Sequence, residues 1–222
     1  MLITCWSVKG GSGTTVVAAA LALLLARRQA NEVVLADVGG DAPTVLGLPE
    51  PNGPGLSDWM ATPGVEDEAL RRLEVAVSPG LCLLPAGMPQ PWSGAATTVP
   101  MDGRGAERLL QALADGRTVV IDAGAPSAMA FELAAGAAVS LLVLRPCYLA
   151  LRRALAAPIR PSAVILVEEG KRSLDVRDVE EVLGVPVRAV VPWDPAIARC
   201  VDAGLLGARL PGSLASALRA AA

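Results

Sequence analysis

The residues most able to do chemistry form one glycine-rich loop near the start of the chain. They are Lys9, Gly10, Gly11, Ser12, Gly13, Thr14 and Thr15. An apolar, β-type segment at 2–7 precedes this loop, and an apolar helical segment at 14–29 follows it. Glycines let backbone N–H groups turn inward, and a helix N-terminus adds positive potential, so this order is typical of a phosphate-binding loop. Taken alone, the loop is explained equally well by a plain glycine turn before a helix.

The loop departs from the usual phosphate-binding pattern at one position. That pattern ends in glycine, lysine and a hydroxyl residue, with the lysine reaching the β- and γ-phosphates and the hydroxyl binding magnesium. Here Thr14 occupies the lysine position, whereas Thr15 retains the hydroxyl. Loss of one charge-assisted hydrogen bond costs about 1.5–3 kcal/mol, or about 10- to 150-fold in affinity. We therefore expect weakened nucleotide binding, and hydrolysis weakened further because phosphoryl transfer depends on positioning and charge neutralisation.

Short apolar segments alternate with helical ones along the chain and must position the loop. Strands are predicted at 2–7, 32–37, 118–122, 139–144, 163–167 and 187–191. Helices are predicted at 14–29, 105–113, 127–135, 148–156, 174–183 and 195–203. The strands are near-continuous in Val, Ile and Leu, as expected where both faces of a sheet are covered. The alternation predicts an α/β fold with a doubly wound, mostly parallel sheet, in a single domain over 1–222.

Such a sheet places its ligands at the carboxyl ends of the strands. The loops that follow Ser7, Asp37 and Asp122 are therefore the first candidates for a site. Two stretches rich in Pro and Gly, 49–64 and 85–104, are predicted to be surface loops.

Composition excludes several classes of function. The chain has no histidine, so catalysis by Ser-His-Asp or Cys-His and zinc sites with histidine ligands cannot arise within it. A net charge of −3 and a pI near 5.1 give no reason to expect a general nucleic-acid binder. The apolar run at 16–26 has 11 residues, whereas a membrane-spanning helix needs about 20. We expect a cytoplasmic protein without direct membrane insertion.

Beyond the loop, several segments occur in an order that resembles the MinD/ParA family of P-loop ATPases. The loop itself, K-G-G-x-G-x-T, is similar to the deviant Walker A loop of that family, whose signature lysine matches Lys9. The other matching segments are VVLADVGGD (33–41), PGLSDWM (54–60), LCLLPAG (81–87), VVIDAGAP (119–126) and VVPWDPAIA (190–198). The resemblance covers nearly the whole chain and implies ATP or ADP with Mg²⁺ as the bound cofactors.

The resemblance assigns roles to three residues of the phosphate half. Lys9 matches the lysine that contacts phosphate, in its own subunit or across a homodimer. Asp122 matches the Walker B carboxylate that holds magnesium through water, and Thr15 matches the hydroxyl that binds the same ion. These are the candidate catalytic and metal-binding residues, together with Asp37.

The resemblance fails at two positions that matter for hydrolysis and for the base. In the family's switch strand, Asp37 matches the first aspartate, but the second, which orients the attacking water, is Gly39. Asp41 lies two residues further on. Pro192 and Asp194 match the segment that borders the base. The asparagine that usually contacts adenine is absent, and 168–170 reads Glu-Glu-Gly instead.

Within the family, the small residue at the second loop lysine and the G-D-x-x-x-x-L-G-L stretch at 40–48 are most similar to the CpaE/TadZ branch. That branch localises Flp/Tad pilus machinery, and related septum-site proteins share it. The resemblance implies a homodimeric positioning scaffold at a cell pole or septum, bound to a protein of a secretion, pilus or division apparatus, with weak or absent hydrolysis. The alternative is an active ATP-dependent dimerisation switch of the partitioning or cell-division type.

Two further alternatives find little support in the sequence. The tail at 210–222 has one basic residue and no aromatic residue, unlike a basic amphipathic membrane helix. Four arginines cluster at 145, 152, 153 and 160, as a DNA carrier requires, but helical arginines usually form a solvated face and the net charge is acidic. We therefore do not expect nucleic acid to be the partner.

Overall fold

The computed structural model describes residues 1–28, 31–87, 104–170 and 174–222. These residues form one eight-stranded sheet in the order β3-β4-β2-β5-β1-β6-β7-β8. The strands are β1 Leu2–Trp6, β2 Val33–Asp37, β3 Val75–Ser78, β4 Leu81–Leu84, β5 Thr118–Asp122, β6 Val139–Leu144, β7 Ala163–Val167 and β8 Val187–Val191. All neighbouring strands pair in parallel except β3 and β4. The expected doubly wound, mostly parallel sheet is confirmed.

Helices cover both faces of the sheet. They are α1 Thr14–Arg28, α2 Ala42–Leu46, α3 Leu56–Ala61, α4 Glu68–Arg72, α5 Arg104–Leu113, α6 Ala128–Gly136, α7 Tyr148–Leu155, α8 Val176–Leu183, α9 Pro195–Asp202 and α10 Gly212–Leu218. On one face, α1 packs against α2 and α10, and α2 against α9. On the other face, α3 packs with α4 and α5, α5 with α6, and α7 with α8. Successive residues of a strand point to opposite faces of the sheet, because the strand is pleated, and pack in the apolar core on each face.

Helix α1 is the central element of the first face and holds the glycine loop in place. Its residues from Val17 to Leu25 are all buried, since Ala, Val and Leu cover every side of the helix. At its end, Arg28 donates from Nη1 to the carbonyl oxygens of Arg219 and Ala222, both at 3.1 Å. The C-terminal residues are therefore fastened to the same helix that carries the loop.

The tail is a part of the core. Helix α10 packs on β8 and α1, and its Leu214 and Leu218 are fully buried. This position accounts for the apolar character of the tail, because one side of α10 faces the sheet. Of the helices in the described ranges, none is both long and apolar enough to cross a membrane.

The sequence predictions missed most of the short elements between β2 and α5. The stretch 49–64, predicted as a surface loop, contains α3, whose Leu56 and Trp59 are buried. The guanidinium of Arg108 lies 3.8 Å from the Trp59 ring centroid and donates to the carbonyl oxygens of Trp59, Thr62 and Val65. Six residues are too few for a helical period, so only these tertiary contacts identify the helix. Most of the second predicted loop, 85–104, lies outside the described residues.

Candidate functional site

The glycine loop joins the carboxyl end of β1 to the start of α1. Gly11 and Gly13 have positive φ angles of 75° and 89°, a conformation that favours glycine. A Cβ atom added to Gly10, Gly11 or Gly13 would meet nothing within 4 Å, so the backbone of the loop faces open space. Ser12 is buried and donates from Oγ to the carbonyl oxygen of Lys9 at 2.7 Å, which fixes the turn.

A cleft of about 400 Å³ opens over this loop. Its lining comprises Ser7, 10–16, Gly39, Asp41, Thr44, Val45, Gly124 and Ala125. The structure thus brings the loop together with the ends of β2 and β5, as the sequence predicts. Lys9 is exposed and is not among the lining residues, and Thr14 lines the cleft with only 6% of its surface exposed. Within the described part of the chain, no lysine or arginine lines the cleft.

Two aspartates end adjacent strands beneath the cleft. Asp37 on β2 and Asp122 on β5 are in register, and both are fully buried. Asp37 accepts hydrogen bonds from the N–H groups of Gly40 at 2.7 Å and Ala42 at 3.1 Å. Burial, followed by the charge of Asp122, raises the pKa of Asp37 to about 7 despite these two bonds. The two carboxyl groups lie beside Gly39, which lines the cleft, and are not themselves among its lining residues.

Asp122 is the residue best suited to a cation. Its Oδ1 accepts from the N–H of Gly124 at 3.0 Å, whereas its buried Oδ2 has no hydrogen-bond partner among the described residues. Burial raises its pKa, and the adjacent Thr15 hydroxyl opposes this rise. An orphaned carboxylate oxygen beside a hydroxyl offers the hard oxygen ligands that Mg²⁺ prefers. The residues present therefore fit a magnesium ion, which would neutralise phosphate charge when bound.

Gly39 approaches Gly124 so closely that little room remains for a side chain. A Cβ atom at position 39 would lie 3.1 Å from the Cα of Gly124, 3.6 Å from Oδ2 of Asp122 and 3.7 Å from Oδ1 of Asp37. Gly124 has a φ of 65° and donates to Asp122, a role that the sequence predictions missed. Asp41 is exposed at the rim of the cleft, and its charge contributes to the raised pKa of Asp37.

A second cavity of about 250 Å³ adjoins the cleft, because Gly13 and Val16 line both. Pro192, Trp193 and Asp194 are among its lining residues. Asp194, however, is occupied structurally. Its Oδ1 accepts from the N–H of Ala196 at 2.8 Å, capping α9, and its Oδ2 accepts from the Ser213 hydroxyl at 2.6 Å. The Ser213 bond, followed by the Ala196 bond, lowers the pKa of Asp194.

Trp193 and Trp6 lie in different surroundings. Trp193 lines the second cavity and is 61% exposed. Trp6 is a core residue, since it is fully buried and donates from Nε1 to Ser140 Oγ at 2.9 Å.

The arginine cluster at 145–160 does not act as one group. Arg145 lines the second cavity and forms a 2.6 Å ion pair with Glu169. Arg152 and Arg153 are exposed on α7, and Arg152 lies 5.8 Å from the ring centroid of Tyr148. Arg145 is therefore the member of the cluster that belongs to the candidate site.

Comparison with solved structures finds the same fold in other proteins, among them MinD, McdA and the MinC:MinD complex. The septum site-determining protein MinD from Pyrococcus horikoshii OT3, complexed with Mg-ADP, has 22% identity and a TM-score of 0.78, covering 99% of this chain and 93% of that one. An ATP complex of a McdA variant from Cyanothece has 18% identity and a TM-score of 0.75, covering 99% and 95%. The MinC:MinD complex from Aquifex aeolicus has 21% identity and a TM-score of 0.70, covering 91% and 86%.

Sequence comparison extends this result from fold to family. No curated protein sequence matches the chain. The family model described as the CobQ/CobB/MinD/ParA nucleotide binding domain, in contrast, matches residues 3–206, almost the whole length. The chain belongs to the CobQ/CobB/MinD/ParA family of nucleotide-binding domains.

Proposed function

We propose that this protein is a degenerate member of the MinD/ParA group, of the CpaE/TadZ type, that binds a Mg²⁺–nucleotide weakly and acts as a dimeric positioning scaffold. Its partner is a protein of a pilus, secretion or division apparatus, and its place is the cytoplasmic side of a pole or septum. The observation that carries the proposal is the cleft. It retains the glycine loop and has no cationic side chain in its described lining, and the orphaned Asp122 oxygen lies beside its lining residue Gly39.

The phosphate half supports binding that is retained but weak. Gly11 and Gly13 keep the backbone open to a ligand, and Asp122 with Thr15 fits magnesium. Thr14 supplies no charge where a lysine normally meets the β- and γ-phosphates. One missing charge-assisted bond lowers affinity by about 10- to 150-fold.

The hydrolytic half supports slow turnover. The carboxylate that orients the attacking water in related switch strands is missing at Gly39. The 3.1 Å approach to Gly124 leaves little space for one. Lys9, exposed at the mouth of the loop, is the remaining candidate for a phosphate contact, within the subunit or across a face-to-face dimer. Phosphoryl transfer depends on charge and positioning, so both losses act on the rate.

A protein partner is supported by precedent within the fold. The Aquifex structure was solved as a complex of MinC with MinD, and its structural similarity to this protein extends over 91% of the chain. With turnover impaired, assembly rather than the nucleotide cycle is the property left for such a protein to use. We propose that the unit which assembles is a single domain over 1–222.

The test is a calorimetric titration with Mg²⁺–ATP, together with solution mass and phosphate release, on wild type, Lys9→Ala and Thr14→Lys. We expect Thr14→Lys to bind about 10- to 150-fold more tightly than wild type. We also expect the wild-type protein to be dimeric without nucleotide and to release no phosphate above background. The Lys9→Ala variant should be dimeric as well. Arg72→Ala, which removes an exposed cation from α4, is the matched control for Lys9→Ala.

The opposite result favours the active switch. ATP-dependent dimerisation, or phosphate release that disappears in Lys9→Ala but persists in Arg72→Ala, would overturn the scaffold. In that case Lys9 compensates for Thr14, and the protein is a nucleotide-driven switch.

A further inference from the structure

The cavity beside the phosphate cleft has a distinctive set of polar groups. Its apolar walls include Val16, Val191, Pro192 and the half-exposed ring of Trp193. Aromatic and aliphatic walls of this kind stack on any purine, so they do not select a base. Selection therefore depends on the polar groups of the cavity, among which the side chains can be compared directly.

The charged side chains that line this cavity are one arginine and three carboxylates: Arg145, Glu168, Asp194 and Asp202. Asp194 is already used, since both of its oxygens accept hydrogen bonds from Ala196 and Ser213. Neither asparagine nor glutamine is among the described lining residues. The cavity therefore offers acceptor-only carboxylates and a donor-only guanidinium, but no amide, which carries both donor and acceptor.

Glu168 is the lining carboxylate that directly follows a strand. It follows β7 directly, and its backbone N–H donates to the carbonyl oxygen of Val191 at 2.9 Å, which fixes its backbone beside the end of β8. Its side chain is exposed at the cavity. Arg145 is held at the same cavity by its 2.6 Å pair with Glu169, and its buried Nε has no hydrogen-bond partner among the described residues.

These groups match the edges of one purine better than the other. Guanine presents two adjacent donors, N1–H and the N2 amino group, which a single carboxylate accepts together, and its O6 and N7 atoms accept from arginine. Adenine presents one amino group beside the acceptor N1, which an amide satisfies and a carboxylate opposes.

We propose that this cavity selects guanine over adenine, with Glu168 accepting from the N1–H and N2 amino groups and Arg145 facing O6 and N7. The nucleotide of the cleft is then a guanosine phosphate. This inference rests on the proposed function, since it requires that the adjoining glycine loop holds the phosphates. It assigns a recognition role to a Glu-Glu-Gly segment that the resemblance to ATPases leaves unexplained.

The test is a set of calorimetric titrations with Mg²⁺–GDP, Mg²⁺–IDP and Mg²⁺–ADP, in wild type and in the Thr14→Lys background, which raises affinity without touching the base side. We expect GDP to bind at least about tenfold more tightly than ADP, because one charge-assisted contact is worth that much. IDP lacks the N2 amino group and should fall between them. Glu168→Gln should lower the GDP-to-ADP affinity ratio about tenfold. Glu181→Gln, an exposed change on α8 away from the cavity lining, should leave the ratio unchanged.

The outcomes separate the two proposals. Binding of ADP as tight as that of GDP, or a ratio that Glu168→Gln leaves unchanged, overturns guanine selection and leaves the scaffold proposal standing. Folded Thr14→Lys protein that binds none of the three nucleotides up to millimolar concentration overturns nucleotide binding itself, and guanine selection with it.

Discussion

Strands β2 and β5 have a cluster of acidic residues near each end. The two clusters differ in whether an arginine side chain contacts them. At the amino ends, Arg117 binds Glu32 at 3.1 Å, Glu74 at 2.7 Å and Asp115 at 2.6 Å. At the carboxyl ends, Asp37 and Asp122 lie side by side with no cationic partner among the described residues.

The two clusters also differ in the direction of their pKa shifts. Burial alone would raise the pKa of Asp115, but hydrogen bonds from the backbone and side chain of Arg117 hold it below its usual range. Burial, followed by the charge of Asp122, raises the pKa of Asp37 to about 7, and the hydrogen bonds from the N–H groups of Gly40 and Ala42 oppose this rise only in part. Arginine side chains compensate the charge of the first cluster in part, whereas the second cluster has no cationic partner among the described residues.

The largest effect is expected from removing Arg117 from the amino-end cluster. Arg117→Ala leaves two largely buried carboxylates, Glu74 and Asp115, beside the exposed Glu32. We therefore expect it to lower the free energy of unfolding by about 2–4 kcal/mol. Urea denaturation measures the change. Arg72→Ala removes an exposed arginine of α4 and should cost less than about 0.5 kcal/mol. Equal losses in the two variants contradict a structural role for the Arg117 cluster.

The second change should have the opposite sign. Asp122→Asn keeps an oxygen for the Gly124 N–H and places an amide where Oδ2 has no partner. It removes one of two adjacent buried charges, so we expect the free energy of unfolding at pH 8 to rise by about 1–2 kcal/mol. The same variant should lose the Mg²⁺-dependent part of nucleotide affinity. A destabilised Asp122→Asn protein contradicts the view that this pair stores unfavourable charge.

The gain in the free energy of unfolding expected for Asp122→Asn should depend on pH. Because the folded pKa of Asp37 is about 7 and its ordinary value is 3.8, folded protein holds a proton that the unfolded chain releases between these values. The contribution of Asp37 to stability therefore falls as pH rises from about 4 to about 7. Asp122→Asn removes the charge that helps to raise this pKa. Its stability advantage over wild type should thus grow from pH 5 to pH 8 in matched denaturation curves, and a constant difference would be evidence against coupling of the pair.

The smallest expected effect concerns the missing second aspartate. Gly39→Ala places a Cβ 3.1 Å from the Cα of Gly124, so we expect it to cost about 1 kcal/mol in urea denaturation. Gly39→Asp adds a third carboxylate to the same space and should not increase phosphate release. A clear increase in release would show that the close approach at Gly124 yields easily, and that Gly39 alone limits turnover.

The long elements and the phosphate half of the site could be predicted from the sequence, because their signals are local. The buried strand β5 and the apolar helix α1 have patterns that only a covered sheet explains. Helices α2, α3 and α4 have five or six residues each, too short for periodicity, and depend on contacts such as that between Arg108 and Trp59. The role of Gly124 and the engagement of Asp194 with Ser213 also escaped prediction, since both are distances between separate segments.

The sequence by itself determined the fold class, the glycine loop, the loss of its lysine at Thr14 and the family. Each of these depends on residue type and order along the chain. The tertiary structure was needed to show which aspartates are buried together, which acids Arg117 contacts, and that the cleft over the glycine loop adjoins a cavity lined by Glu168 and Arg145. Burial and charge pairing are properties of neighbours in space, and a parallel sheet makes neighbours of residues that lie about eighty positions apart, as it does Asp37 and Asp122.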